Sequence, residues 1–207
     1  RTRLEIENDL RTALDRGELS LHYQPLVQLD TGRLRGFEAL LRWNQPERGF
    51  VGPNEFIPVA EETGLILPIG RWVLREACRQ LSAWRSSYAG ADELTVNVNV
   101  SARQLSQGIF AQEVEDALRD SDLPATALQL ELTETALLEE NEIVAAALER
   151  LGEIGVKLHL DDFGTGYSSL SYLYRYHLNA LKIDKSFVTR MSPDNNASEI
   201  VRTIVTL

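Results

Sequence analysis

The chain is short of the residues that would tie it to an oxidising compartment, a membrane or a nucleic-acid polymer. Its 207 residues include one cysteine, Cys78, which excludes an intrachain disulfide and fits a reducing, cytoplasmic setting. Cys78 falls on an apolar helical face, where burial is its expected role. No apolar run reaches the roughly 18 residues of a membrane span, so no membrane contact is expected of this segment. The first residues, Arg1-Thr2-Arg3-Leu4-Glu5, lack the apolar core of a signal peptide. Positive charge is scarce: 21 Lys and Arg stand against 31 Asp and Glu, a formal net charge of −10. That balance disfavours a nucleic-acid polymer or an anionic membrane as partner. A small phosphorylated ligand stays open, because a bound metal ion inverts the local field. The three histidines, His22, His159 and His177, show no zinc spacing. Repeats and low-complexity segments are also missing.

What is present is an alternation of short β-rich runs and longer helical ones. Strands are predicted over Leu19–Leu26, Leu34–Trp43, Leu94–Val100, Leu128–Thr133, Val156–Asp161 and Ala180–Ile183. Helices are predicted over Leu4–Leu14, over about Gly70–Trp84, around Phe110, Val114 and Leu118, and over Ser198–Leu207. Another holds Val144, Leu148 and Leu151 and is ended by Gly152 and Gly155. This order argues for an α/β fold with a mostly parallel sheet. The strand interiors read as apolar, as for strands covered on both faces. The length allows one sizeable domain, residues 18–207, preceded by a connecting helix over 1–17.

Polar residues recur near the predicted strand ends: Glu38, Asn99, Glu131, Asp161 with Asp162, and Lys182. In a (β/α)8 TIM-like barrel those ends converge on one mouth, whereas an open sheet would spread them along a line. Six predicted strands leave such a barrel without its last two. Asp161-Asp162 is the sharpest feature, since adjacent carboxylates repel unless cations pair them. Hard oxygen ligands at a strand end suit magnesium or manganese, and two ions 3.5–4 Å apart would clamp attacking and leaving oxygens. The plainer alternative is an Asp pair capping a turn before Gly164. Glu131 and Asn99 each interrupt apolar neighbours. Glu38 is either paired with Arg42 or bound to metal while Arg42 grips a phosphate. Lys182 either pairs with Asp184 or points to the metals, where it would hold water or stabilise phosphate charge. Glu134 falls past a strand end, placed to fasten a loop or to cap a helix. Asp162-Phe163-Gly164 is not a kinase motif, for no His-Arg-Asp loop accompanies it. Gly164-Thr165-Gly166 lacks the third glycine of a dinucleotide fingerprint and reads as a flexible loop.

Together these motifs resemble the EAL-domain family of bacterial cyclic di-GMP phosphodiesterases. The matching stretches are Tyr23-Gln24-Pro25, Glu38-Ala39-Leu40-Leu41-Arg42-Trp43, Phe56-Ile57-Pro58 with Ala60-Glu61, Asn99-Val100-Ser101 and Glu131-Leu132-Thr133-Glu134. Asp161-Asp162-Phe163-Gly164-Thr165-Gly166-Tyr167-Ser168-Ser169-Leu170 and Lys182-Ile183-Asp184 complete the set, in family order. The resemblance implies a (β/α)8-like barrel with an antiparallel first strand. It implies hydrolysis of cyclic di-GMP to linear pGpG with Mg²⁺ or Mn²⁺. By position, it makes Glu38, Asn99, Glu131, Asp161 and Asp162 metal ligands and Lys182 the residue that places the attacking water. Gln24 and Arg42 become substrate contacts, and Glu134 the anchor of the loop Phe163 to Ser169, through which the family couples dimerisation to activity. It further implies a homodimer and an upstream GGDEF or sensory domain, the whole being cytoplasmic or the cytoplasmic part of a membrane-anchored protein. A further Glu in a Glu-Gly-Val-Glu stretch and a later Gln are expected beyond residue 207. His177 and Asn179 stand where the family more often has Pro and Asp. The alternative reading is a receptor that binds cyclic di-GMP without cleaving it.

Overall fold

The computed structural model describes residues 2–138, 141–163, 176–191 and 196–206. The chain runs α1 (Arg3–Ala13), β1 (Leu19–Val27), β2 (Leu34–Gln45), β3 (Gly49–Val51), α2 (Pro53–Thr63) and α3 (Ile66–Ser87). It continues with β4 (Thr95–Val100), α4 (Ala102–Leu105), α5 (Phe110–Asp120), β5 (Leu128–Thr133), α6 (Glu134–Leu138) and α7 (Glu142–Ile154). Last come β6 (Lys157–Phe163), β7 (Ala180–Ile183), α8 (Lys185–Thr189) and α9 (Asn196–Thr206). The expected α/β alternation is present, with several further elements that the predicted pattern does not place. The short strand β3 and the short helices α4 and α8 are among them. The longest is α2, which begins at Pro53 and carries Pro58 inside it, so proline masks its helical pattern. The predicted Gly70–Trp84 helix is longer at both ends, and Gly152 lies inside α7, which Gly155 closes at φ 94°.

The strands lie side by side in the order β1-β2-β4-β5-β6-β7, with β3 hydrogen-bonded to β2. β1 is antiparallel to β2, as expected, and every later step along that order is parallel. Gly36 makes the β2–β4 step possible. A Cβ on it would lie 2.2 Å from the Thr95 carbonyl oxygen, so only glycine admits this approach.

The expectation of strands apolar on both faces is corrected. Residues alternate strictly. Val96, Val98 and Val100, Leu128, Leu130 and Leu132, and Leu158 and Leu160 are all buried in the hydrophobic core with helix residues such as Val73, Ala77, Leu81, Val114 and Leu148. The residues between them are Asn97 and Asn99, Gln129, Glu131 and Thr133, and His159 and Asp161. Side chains on a strand point to opposite faces in turn, so one face of the sheet is apolar and the other is a row of polar groups. Burying a branched aliphatic side chain is worth roughly 1.5–3 kcal/mol, so the apolar face fixes the register and thereby presents the polar one. Cys78 is buried, as its place on the apolar stripe of α3 predicts. Helix α1 contributes Ile6, Leu10 and Ala13 to the same core. Among the described residues no helix is long and apolar enough to cross a membrane.

Candidate active site

Along the polar face, exposure grows towards the C-terminal strand ends. Asn97 is buried and Asn99 exposed on β4; Glu131 is buried and Thr133 exposed on β5. At this opening Glu38 of β2, Glu131 of β5 and Asp161 of β6 each bring one carboxylate oxygen within 4.8 Å of the others. Lys182 of β7 reaches all three: its Nζ lies 2.5 Å from Glu131 Oε2, 3.2 Å from Glu38 Oε2 and 3.3 Å from Asp161 Oδ2. Asn99 Nδ2 donates to Glu38 Oε1 at 2.9 Å. The alternative pairings are therefore not the ones adopted. Glu38 is held by Asn99 and Lys182, while Arg42 Nη1 donates to the Leu41 carbonyl at 3.0 Å.

The pair Asp161-Asp162 owes its geometry to a bulge. β6 and β7 pair Leu160 with Leu181 and Phe163 with Ile183, so two aspartates span the space opposite Lys182 alone. Asp162 takes the left-handed conformation, φ 54°, and its backbone N–H donates to Asp161 Oδ1 at 3.0 Å. Asp tolerates that region better than most side chains. The extra residue re-aims the strand, and Phe163 returns to the core. Asp162 itself stands outside the three-carboxylate group, hydrogen-bonded to Asp184. Burial, then the Asp161 and Asp184 charges, raise its carboxyl above the usual range.

The electrostatics are those of a crowded acidic site around one cation. Burial pushes Glu131 up to about 7, against the opposing pull of Lys182 and Asn97. For Lys182 burial works against the charge, yet Glu131, Glu38 and Asp161 outweigh it and raise the ammonium above its ordinary value. Burial, with the charges of Lys182, Lys157 and Arg35, lowers His159 to about 4, so its imidazole is neutral. The donor set fits a hard divalent cation: three convergent carboxylates with an amide beside them, all oxygen chemistry, and no thiol or imidazole among the three.

Gln24 sits directly across the β1–β2 ladder from Glu38. Arg42 lines a cavity of about 370 Å³ together with Asn54, Ile57, Glu61, Asn99 and Asp162. Glu134 is the first residue of α6 and is buried; Thr133 Oγ1 accepts from the Ala136 N–H at 3.4 Å, the cap that the sequence allows. Of the loop Phe163 to Ser169, only Phe163 falls within the described residues. Two polar residues under the carboxylates, Asn97 and His159, went unassigned in the sequence reading. The signal was the period-two pattern Thr95-Val96-Asn97-Val98-Asn99-Val100, which puts Asn97 on the same face as Asn99.

A family model for the EAL domain matches residues 7–207. The chain belongs to the EAL domain family. This EAL domain is 43% identical over 204 residues to the bifunctional diguanylate cyclase/cyclic di-GMP phosphodiesterase MucR of Pseudomonas aeruginosa, covering 99% of the chain and 30% of that protein. It is 40% identical over 202 residues to the cyclic di-GMP phosphodiesterase PdeR of Escherichia coli, covering 98% of the chain and 30% of the relative. The chain thus spans under a third of these relatives. Among solved structures, the PaMucR phosphodiesterase in its c-di-GMP complex superposes with a TM-score of 0.91 at 42% identity, over 98% of this chain and 81% of that one. The architecture is accordingly the TIM-barrel-like α/β fold of EAL structures.

Proposed function

We propose that this EAL domain hydrolyses cyclic di-GMP to linear pGpG with Mg²⁺ or Mn²⁺, two ions when both positions fill. The observation that carries the reading is the convergence of Glu38, Glu131 and Asp161 on Lys182 at the open strand ends. Similarity to proteins described as cyclic di-GMP phosphodiesterases, and to a complex with c-di-GMP, supports this choice of substrate.

Glu38, Glu131 and Asp161 would hold the metal, with Asn99 and Asp162 at the rim. Divalent ions bound there supply an activated water and neutralise charge on the phosphate. The product pGpG carries a 5′-phosphate, so the water oxygen bonds to phosphorus as the P–O3′ bond breaks, and the proton ends on the leaving 3′ oxygen. The Lys182 ammonium, already within hydrogen-bond range of all three carboxylates, orients the water and offsets charge developing in the transition state. Arg42, on the cavity wall, offers a planar fork to a phosphate. Gln24, directly across the β1–β2 ladder from Glu38, would be a substrate contact beside it. Glu134 anchors the loop from Phe163 to Ser169, and with it the coupling of a homodimer to activity. An upstream GGDEF or sensory domain and a cytoplasmic setting belong to the same reading.

The test is to incubate the protein with cyclic di-GMP and Mg²⁺ and separate the products. Linear pGpG is expected. Tight binding with no linear product would make the domain a receptor instead.

A further inference from the structure

Beneath the carboxylates, on the same polar face of the sheet, lies Asn97. It is 3% exposed. Its Nδ2 donates to Glu131 Oε1 at 2.7 Å and lies 3.4 Å from His159 Nδ1. The other Glu131 oxygen, Oε2, is the one that meets Lys182 and faces the open end. Glu131 and His159 are register partners across β5 and β6, while Asn97 on β4 is opposite Gln129, so its amide reaches diagonally to both of them.

The Glu131 contact sets which way round the amide stands: turned over, it would place its oxygen against a carboxylate oxygen 2.7 Å away. With the amide nitrogen on that side, His159 Nδ1 at 3.4 Å accepts from the same group, and the ring proton belongs on Nε2. As it stands, Asn97 Oδ1 accepts no hydrogen bond among the described residues. A buried acceptor left so costs about 1–3 kcal/mol, which a valine or leucine at this position would avoid. The polar residue is thus explained by its nitrogen end. That end fixes one oxygen of Glu131 and leaves the other aimed at the opening.

We propose that Asn97, locked by His159, is a positioning residue that aims Glu131 at the metal. This inference rests on the reading of Glu131 as a metal ligand. Partners of this kind, one bond removed from a metal, typically change metal affinity or activity by 10–100-fold when lost.

The test uses Mn²⁺ alone as probe, with binding followed by electron paramagnetic resonance, alongside the Mn²⁺ dependence of cyclic di-GMP hydrolysis and metal-free thermal unfolding. Asn97→Leu is expected to bind Mn²⁺ about 10–100-fold more weakly while unfolding no earlier than the unsubstituted protein. Excess Mn²⁺ should restore most of its kcat, which a general structural lesion would not allow. Asn97→Asp, which sets a second carboxylate against Glu131, should be weaker still. His159→Leu should lose about 3-fold, one modest hydrogen bond's worth, and His159→Gln, which returns an acceptor to the amide, should regain it. Unchanged Mn²⁺ affinity in folded Asn97→Leu would overturn the proposal. If that variant does not fold, His159→Leu and His159→Gln both equal to the unsubstituted protein would do so. An unsubstituted protein that binds Mn²⁺ but cleaves nothing removes the phosphodiesterase reading and leaves this one standing; one that binds no Mn²⁺ removes the metal reading and this inference with it.

Discussion

The two faces of the central sheet are made from the same strands and do opposite work. On one, Val96, Val98, Leu128, Leu130, Leu132, Leu158 and Leu160 disappear into the core. On the other, Asn97, Asn99, Glu131, His159, Asp161 and Lys182 keep charge and hydrogen bonds in play. The difference between them is one step along the backbone. Stability sits on one face and, on the proposed function, chemistry on the other; that separation can be tested.

The largest effect should follow from the polar face. Chelating the metal, or replacing Asp161 with Asn, should take hydrolysis of cyclic di-GMP to background by chromatography of the products, with the urea midpoint held. Turnover unchanged in Asp161→Asn would remove the metal reading. Next comes the apolar face. Leu130→Ala should cost about 2–5 kcal/mol of stability in a urea titration, because Leu130 is fully buried, while the kcat of the folded fraction stays put. If that kcat collapsed too, the faces would not be separable. A smaller change is expected at Arg42, on the cavity wall. Arg42→Ala should raise KM about 10-fold, the loss of one charge-assisted hydrogen bond, at nearly constant kcat. The smallest concerns pH. Glu131, pushed up to about 7, must lose its proton to bind a metal. Because the shift is upward, the protonated form grows as pH falls below 7. The metal concentration for half-maximal activity should rise there by up to about 10-fold per pH unit and level off above it. A flat dependence between pH 6 and 8 would mean that Glu131 stays ionised throughout.

Much of this was legible in the sequence. The order of strands and helices follows from periodicity, and the positions where Glu38, Asn99, Glu131 and Lys182 break apolar runs do converge. What periodicity hid has physical causes. Asn97 and His159 were hidden because an amide and an imidazole inside a strand announce no chemistry until a neighbouring strand places Glu131 beside them. Reading the strands as apolar throughout gave weight to the residues that fold the sheet and overlooked the alternate ones. The segregation of Asp162 from the other carboxylates depends on a left-handed backbone angle, which composition does not encode. Helix α2 was missed because Pro53 and Pro58 look like breakers, although the first is a good opening residue.

The bulge at Asp161-Asp162 ties an acidic residue at the strand end to a single codon. Two residues there occupy the span of one on β7, and Phe163 regains the apolar row only because of the extra one. Deleting the single codon for Asp162 would leave Asp161 among the polar groups and let Phe163 fall into regular alternation with Leu158 and Leu160. The strand would be healed and a carboxylate at the rim of the proposed site would be gone, with the core alternation intact. One codon thus separates a regular strand from one that carries an extra acidic group at its open end.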